Sequence, residues 1–100
     1  MRTVSNLLSL NGRVYVYLAS SNLSELFFKN AENEGFTFDG GRRPTKSRTA
    51  DIIALNADWT INYVGWAGHM AFRYPQAVVG ETLVRVDYGK YLAGCESFTF

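Results

Sequence analysis

The sequence predicts a small α+β domain: an antiparallel sheet of about five strands with one main helix packed on one face, in the order β-α-β-β-β-β. Three observations carry that prediction. Short β-branched and aromatic runs recur along the chain, bounded by turn residues, as strands do. One stretch, near residues 22–34, has the three-to-four-residue apolar spacing of an amphipathic helix. The chain of 100 residues, 47% apolar and 19% charged, suffices for one modest core, so residues 1–100 are expected to form a single domain.

Each element follows from local chemistry. Residues 4–10 form a short lead-in with the look of a helical turn, and Asn11-Gly12 is a strong turn dipeptide. Val14–Leu18 is the first strand; Val14, Val16 and Leu18 face the core, and Tyr15 and Tyr17 line the other face. Asn22 followed by Glu25 resembles a capping box. Leu23, Leu26, Phe27 and Ala31 share one helical face, and Gly35 stands where a C-cap glycine belongs. Phe36–Phe38 is a short strand, and a long polar loop follows to Thr49. Asp51–Leu55 and Thr60–Val64 are strands joined by Asn56-Ala57-Asp58-Trp59. Gly65–Phe72 has neither a clean two-residue nor a helical period, and reads as an irregular turn entering a short helix or strand that Tyr74-Pro75 ends. Leu83–Val86 is the last strong strand. Asp87–Leu92 is a helical turn stopped by Gly94, and Ser97–Phe100 is an edge strand or tail. Short turns between consecutive strands favour antiparallel pairing.

Charge and cysteine usage narrow the function classes. A net charge of +1 argues against a general nucleic-acid coat, which needs a wide basic surface. It also leaves self-association unopposed. The single cysteine, Cys95, excludes an intrachain disulfide and points to a reducing compartment. No run resembles a signal peptide or a membrane span, so the expected location is the cytoplasm, with no membrane partner. Aromatic residues make up 15% of the chain, more than a small core hides completely, so a few are expected at an interface or a pocket.

Two stretches carry candidate chemistry. The loop Gly40–Thr49 holds Arg42, Arg43, Lys46 and Arg48, two glycines, and the hydroxyls of Thr45, Ser47 and Thr49. Arginine forks match phosphate oxygens, hydroxyls add donors, and glycine permits close backbone approach. The pattern is not a Walker loop, and its plain alternative is a solvated surface loop. The second stretch, Asn62–Phe72, offers Tyr63, Trp66 and Phe72 as flat surfaces, with Asn62 and His69 as directed hydrogen-bonding groups. A base could stack there, although core packing is the ordinary use of such residues. The ligand-binding candidates are therefore Arg42, Arg43, Thr45, Lys46, Arg48, Asn62, Tyr63, Trp66 and His69. No catalytic constellation stands out: His69 and Cys95 are single, the aspartates are scattered, and no metal-ligand cluster or cofactor motif is present.

The runs GFTF at Gly35–Phe38, RPT at Arg43–Thr45, DIIALN at Asp51–Asn56, TINYVG at Thr60–Gly65 and GHMAF at Gly68–Phe72 resemble a family of short proteins of Firmicutes and of their phages and prophages. The likeness runs from about Arg13 to Gly94 and includes Val86-Asp87-Tyr88 and Lys90-Tyr91. The position of Trp66 is often Phe in that family, and its glycine-rich turn often runs Gly-Asp-Gly where this chain has Asp39-Gly40-Gly41. The family brings no established catalytic residue. The resemblance implies a setting: a phage protein in the host cytoplasm that counters bacterial defence, either as a homo-oligomer sequestering a nucleotide signal or by binding a defence protein directly. A small nucleotide hydrolase using His69 is a further alternative, and DNA or RNA binding ranks last.

Overall fold

The computed structural model describes residues 2–10, 12–74 and 83–100. Asn11 of the expected Asn11-Gly12 turn and Pro75 of the expected Tyr74-Pro75 stop lie outside them. After a 3-10 turn at Ser5–Ser9, the elements are β1 (Arg13–Tyr17), α1 (Ser21–Glu34), β2 (Thr37–Phe38), a second 3-10 turn at Pro44–Lys46, β3 (Ile52–Leu55), β4 (Thr60–Tyr63), α2 (Trp66–Arg73), β5 (Leu83–Asp87) and α3 (Tyr88–Leu92). The five strands form one sheet in the order β2-β4-β3-β1-β5. This is the small α+β domain that the pattern predicts.

The sheet is mixed where an antiparallel one is expected. β3 runs antiparallel to both β1 and β4. β5 lies parallel to β1, and β2 parallel to β4. The reason is connection length. Only the β3–β4 hairpin has the short turn that enforces antiparallel pairing; the stretch containing α2 is long enough to carry the chain across to the far edge beside β1. The C-terminal tail then hydrogen-bonds along β5, through Asp87 N–H to Phe98 and Phe100 N–H to Arg85.

Alternation sorts the strand residues onto two faces. Val14, Val16, Ile53, Leu55, Ile61 and Val86 meet Phe27, Phe28 and Ala31 of α1 in the main core. The opposite face carries Tyr15 and Ile52, which pack on Phe72 of α2. Helices thus lie on both faces, because the ambiguous Gly65–Phe72 stretch is a helix. Gly68 makes it possible: a Cβ there would stand 2.6 Å from Val64 Cβ.

The start and the facing of α1 differ from expectation. Ser20, not Asn22, is the N-cap; its Oγ accepts the Leu23 N–H at 3.2 Å. Gly35 closes the helix at φ 101°, in the left-handed region that glycine enters without penalty. The buried face holds Ser24 with Phe27, Phe28 and Ala31, while Leu26 is 40% exposed. Ser24 belongs inside because its Oγ accepts the Ala50 N–H at 3.1 Å, fastening the approach to β3 onto the helix. At the other end of α1, the Glu34 carboxylate accepts the N–H groups of Val4 and Ser5 at 2.8 and 2.9 Å and anchors the N-terminal turn.

Candidate functional site

The loop Gly40–Thr49 lies along α1 as a strap. The Thr45 hydroxyl and amide both donate to Glu32 Oε1, at 2.7 and 3.2 Å. The Thr45 hydroxyl bond, opposed by slight desolvation and helped by the Thr45 amide and the charges of Arg43 and Lys46, holds the Glu32 carboxyl below its usual range. Further along, Ser47 donates to the Arg43 carbonyl, and Ala50 reaches Ser24. The strap therefore runs antiparallel to the helix, from Glu32 back toward its start.

Two cavities open between strap and helix, and Thr49 lines both. The first is a groove of about 290 Å³ at the start of α1, walled by Leu18, Ala19, Ser20 and Ser21 on one side and Thr49, Ala50 and Asp51 on the other. The N–H groups of a helix's first turn have no intrahelical acceptor, and the helix dipole makes that end electropositive. The Ser20 Oγ takes the Leu23 N–H, which leaves the Ser20 hydroxyl hydrogen to donate outward. The Ser21 hydroxyl adds a second donor. The groove's carboxylate, Asp51, is held by His69. The second cavity, of about 300 Å³, lies farther along the helix between Glu25, Phe28, Thr45, Ser47 and Thr49.

The residues singled out in the sequence are placed as follows. Arg42 and Arg43 are exposed and line neither cavity. Lys46 stands with Arg43 near Glu32. Thr45 reaches the second cavity, but its hydroxyl hydrogen is engaged by Glu32, so it is no phosphate donor in this arrangement. Arg48 and Tyr63 come together: the guanidinium carbon lies 4.1 Å from the Tyr63 ring centroid, and the Tyr63 hydroxyl donates to the Arg48 carbonyl. Phe38 also stacks on Tyr63, at 4.8 Å, so these neighbours take up the ring that a base was expected to use. The basic loop and the aromatic stretch thus meet, but at a packed joint.

Asn62 accepts from Asn56 Nδ2 and belongs to the hairpin network. His69 Nδ1 lies 3.0 Å from the Gly65 carbonyl and Nε2 lies 3.0 Å from Asp51 Oδ1. A carbonyl and a carboxylate only accept, so both contacts are hydrogen bonds at once only when the ring carries its second proton. The Asp51 hydrogen bond, with the Gly65 carbonyl, raises the His69 pKa above its usual 6.5, against desolvation. Desolvation pushes the Asp51 carboxyl up, but the hydrogen bond and charge of His69 prevail and leave it below its usual 3.8. Both His69 nitrogens are engaged within the fold, one by the Gly65 carbonyl and one by Asp51. Trp66 is 79% exposed at the start of α2, and Met70 and Tyr74 follow it at one-turn spacing, also exposed.

Ser20, Ser21 and Asp51 were not among the residues singled out. For the serines the signal is a pair between a strand and a helix, which marks a cap as readily as a site, and Asp51 reads as one of several scattered aspartates. Among the described residues no group of His, Cys, Asp and Glu could hold a metal ion, and no helix is long and apolar enough to cross a membrane. No protein-family model matches this chain, and no curated protein or solved structure does.

Proposed function

We propose that this chain is a non-catalytic binder of a small nucleotide-type ligand, acting as a homo-oligomer. The groove at the start of α1 carries the reading. It combines first-turn N–H groups, the hydroxyls of Ser20 and Ser21, and Thr49 across the gap, a donor set that suits a phosphate. The cavities, of about 290 and 300 Å³, are small for a whole dinucleotide within one copy, so an interface between copies supplies the remaining surface. The resemblance to phage proteins adds the setting, sequestration of a bacterial immune signal.

A second reading has a specific observation behind it. The exposed row of Trp66, Met70 and Tyr74 suits a protein contact, since aromatic residues and methionine are enriched in interfaces. In the first reading that row meets another copy; in the second it meets a host defence protein.

The test is retention. Purified protein is incubated with cyclic dinucleotides, cyclic oligonucleotides and ADP-ribose derivatives, freed of unbound ligand and heat-denatured, and the supernatant is chromatographed. Intact ligand in the supernatant supports the binder. An altered ligand means an enzyme. Nothing retained across the panel, with a stable complex in a pull-down from host lysate, favours the second reading.

A further inference from the structure

We propose that the cavity between Glu25 and Ser47 is a sugar subsite that takes the vicinal diol of a ribose. Hydrogen-bond polarity decides its ligand class. The Thr45 hydroxyl already donates to Glu32 and the Ser47 hydroxyl to the Arg43 carbonyl, so each has only lone pairs left to offer. The Glu25 carboxylate accepts only, and among the described residues neither it nor the Thr49 hydroxyl has a hydrogen-bond partner. Thr45, Ser47 and Glu25 therefore offer only acceptors and call for a ligand that donates, while the Thr49 hydroxyl, which also lines the groove at the helix start, keeps its hydrogen to donate.

Two kinds of donor fit such a wall in principle, a cation and a diol. Arg43 and Lys46 stand near the Thr45 end and act on Glu32, so positive charge is already gathered there and disfavours a cation. A neutral diol meets no such repulsion, and one carboxylate can accept both of its hydroxyls.

This inference rests on the nucleotide-binding reading and deepens it. Ser21 and Glu25 stand one helical turn apart on α1, about 6 Å along the axis, which is the order of a phosphate-to-diol separation in a nucleotide. The phosphate lies at the helix start and the sugar one turn on, with Thr49 between them.

Amide chemical-shift mapping of the isotope-labelled protein tests it, with adenosine and its 2′,3′-dideoxy analogue, which lacks both hydroxyls of the diol, as probes. Adenosine is expected to shift the amides of Glu25, Ser47 and Thr49, and the analogue to bind about ten-fold more weakly or worse, as a site built for hydroxyls rejects a ligand lacking them. Glu25→Ala is expected to lose adenosine while keeping the wild-type melting temperature, since Glu25 is exposed. Equal shifts from both nucleosides, or shifts from agmatine and none from adenosine, would overturn the proposal. If Glu25→Ala retains the ADP-ribose derivatives of the anionic panel as wild type does, the subsite is wrong and the nucleotide reading stands. If wild type retains nothing from that panel yet adenosine shifts these amides, the subsite stands and the nucleotide reading fails.

Discussion

His69 Nε2 lies 3.0 Å from Asp51 Oδ1, tying the first turn of α2 to the residue that precedes β3. The contact fixes the rim of the groove, and with His69 protonated it offsets the charge of the groove's carboxylate. Its stability contribution has a defined pH window. The His69 pKa is raised by folding, so its contribution is complete below the usual 6.5 and is lost as pH rises through the folded value. The Asp51 pKa is lowered, so its contribution is complete above the usual 3.8 and is lost as pH falls through the folded value. The pair is fully effective between those two values. Both partners are substantially exposed, so screening keeps the effect to about 0.5 kcal/mol. Chemical denaturation of wild type and His69→Ala is expected to show the largest difference near pH ~5 and a smaller one at pH ~8.5.

Ser24→Ala removes a hydroxyl that is 1% exposed and strands the Ala50 N–H, which it accepts at 3.1 Å. A half-buried donor left without its partner costs about 1 kcal/mol, read as a lower urea midpoint. Amide exchange at Ala50 is expected to accelerate as well, because that bond fastens the strap to α1.

Gly68→Ala presses a methyl against the Val64 side chain, with 2.6 Å between the Cβ atoms. Val64 is a branched side chain with little freedom to withdraw, so α2 must shift away from the sheet. The expected cost is about 1–3 kcal/mol by thermal or urea unfolding, with new exposure of Phe72. Ala71→Gly, by contrast, costs about 1 kcal/mol through helix propensity and leaves the α2–sheet contact in place.

Ser21→Asp separates fold from function by sign. A carboxylate in the first turn of α1 is favourable to the helix, by about 0.5 kcal/mol. The same charge occupies the groove proposed for phosphate. The variant is expected to unfold at a slightly higher temperature and to retain no anionic ligand; retention at the wild-type level would remove the groove from the account.

Much of the fold is legible because local chemistry decides it. Val14–Leu18, the runs on either side of Asn56–Trp59 and the Gly35 cap all declare themselves through residue type and spacing. The mixed sheet does not, since which strand lies beside β1 is settled by a crossover between distant parts of the chain. α2 was obscured by Gly65 and Gly68, which weaken a helix by propensity while Gly68 is what lets this one approach Val64. Ser24 reads as polar and therefore outward, until its partner Ala50, far along the chain, is brought beside it. The candidate site was legible only in part. The hydroxyls of Thr45, Ser47 and Thr49, legible in the loop, do face the cavities, but the loop's Arg42 and Arg43 line neither, and the opposite wall comes from α1. Arg48 and Tyr63, drawn from the two stretches singled out, do meet, as a packed joint.

The central claim is that the start of α1 holds the anionic part of the ligand, and amide shift mapping with ADP-ribose tests it most directly. The account predicts shifts concentrated at Ser20–Leu23 and Thr49–Asp51, abolished in Ser21→Asp and preserved in Arg42→Ala. Shifts confined to Gly40–Lys46, or unchanged shifts in Ser21→Asp, would contradict it.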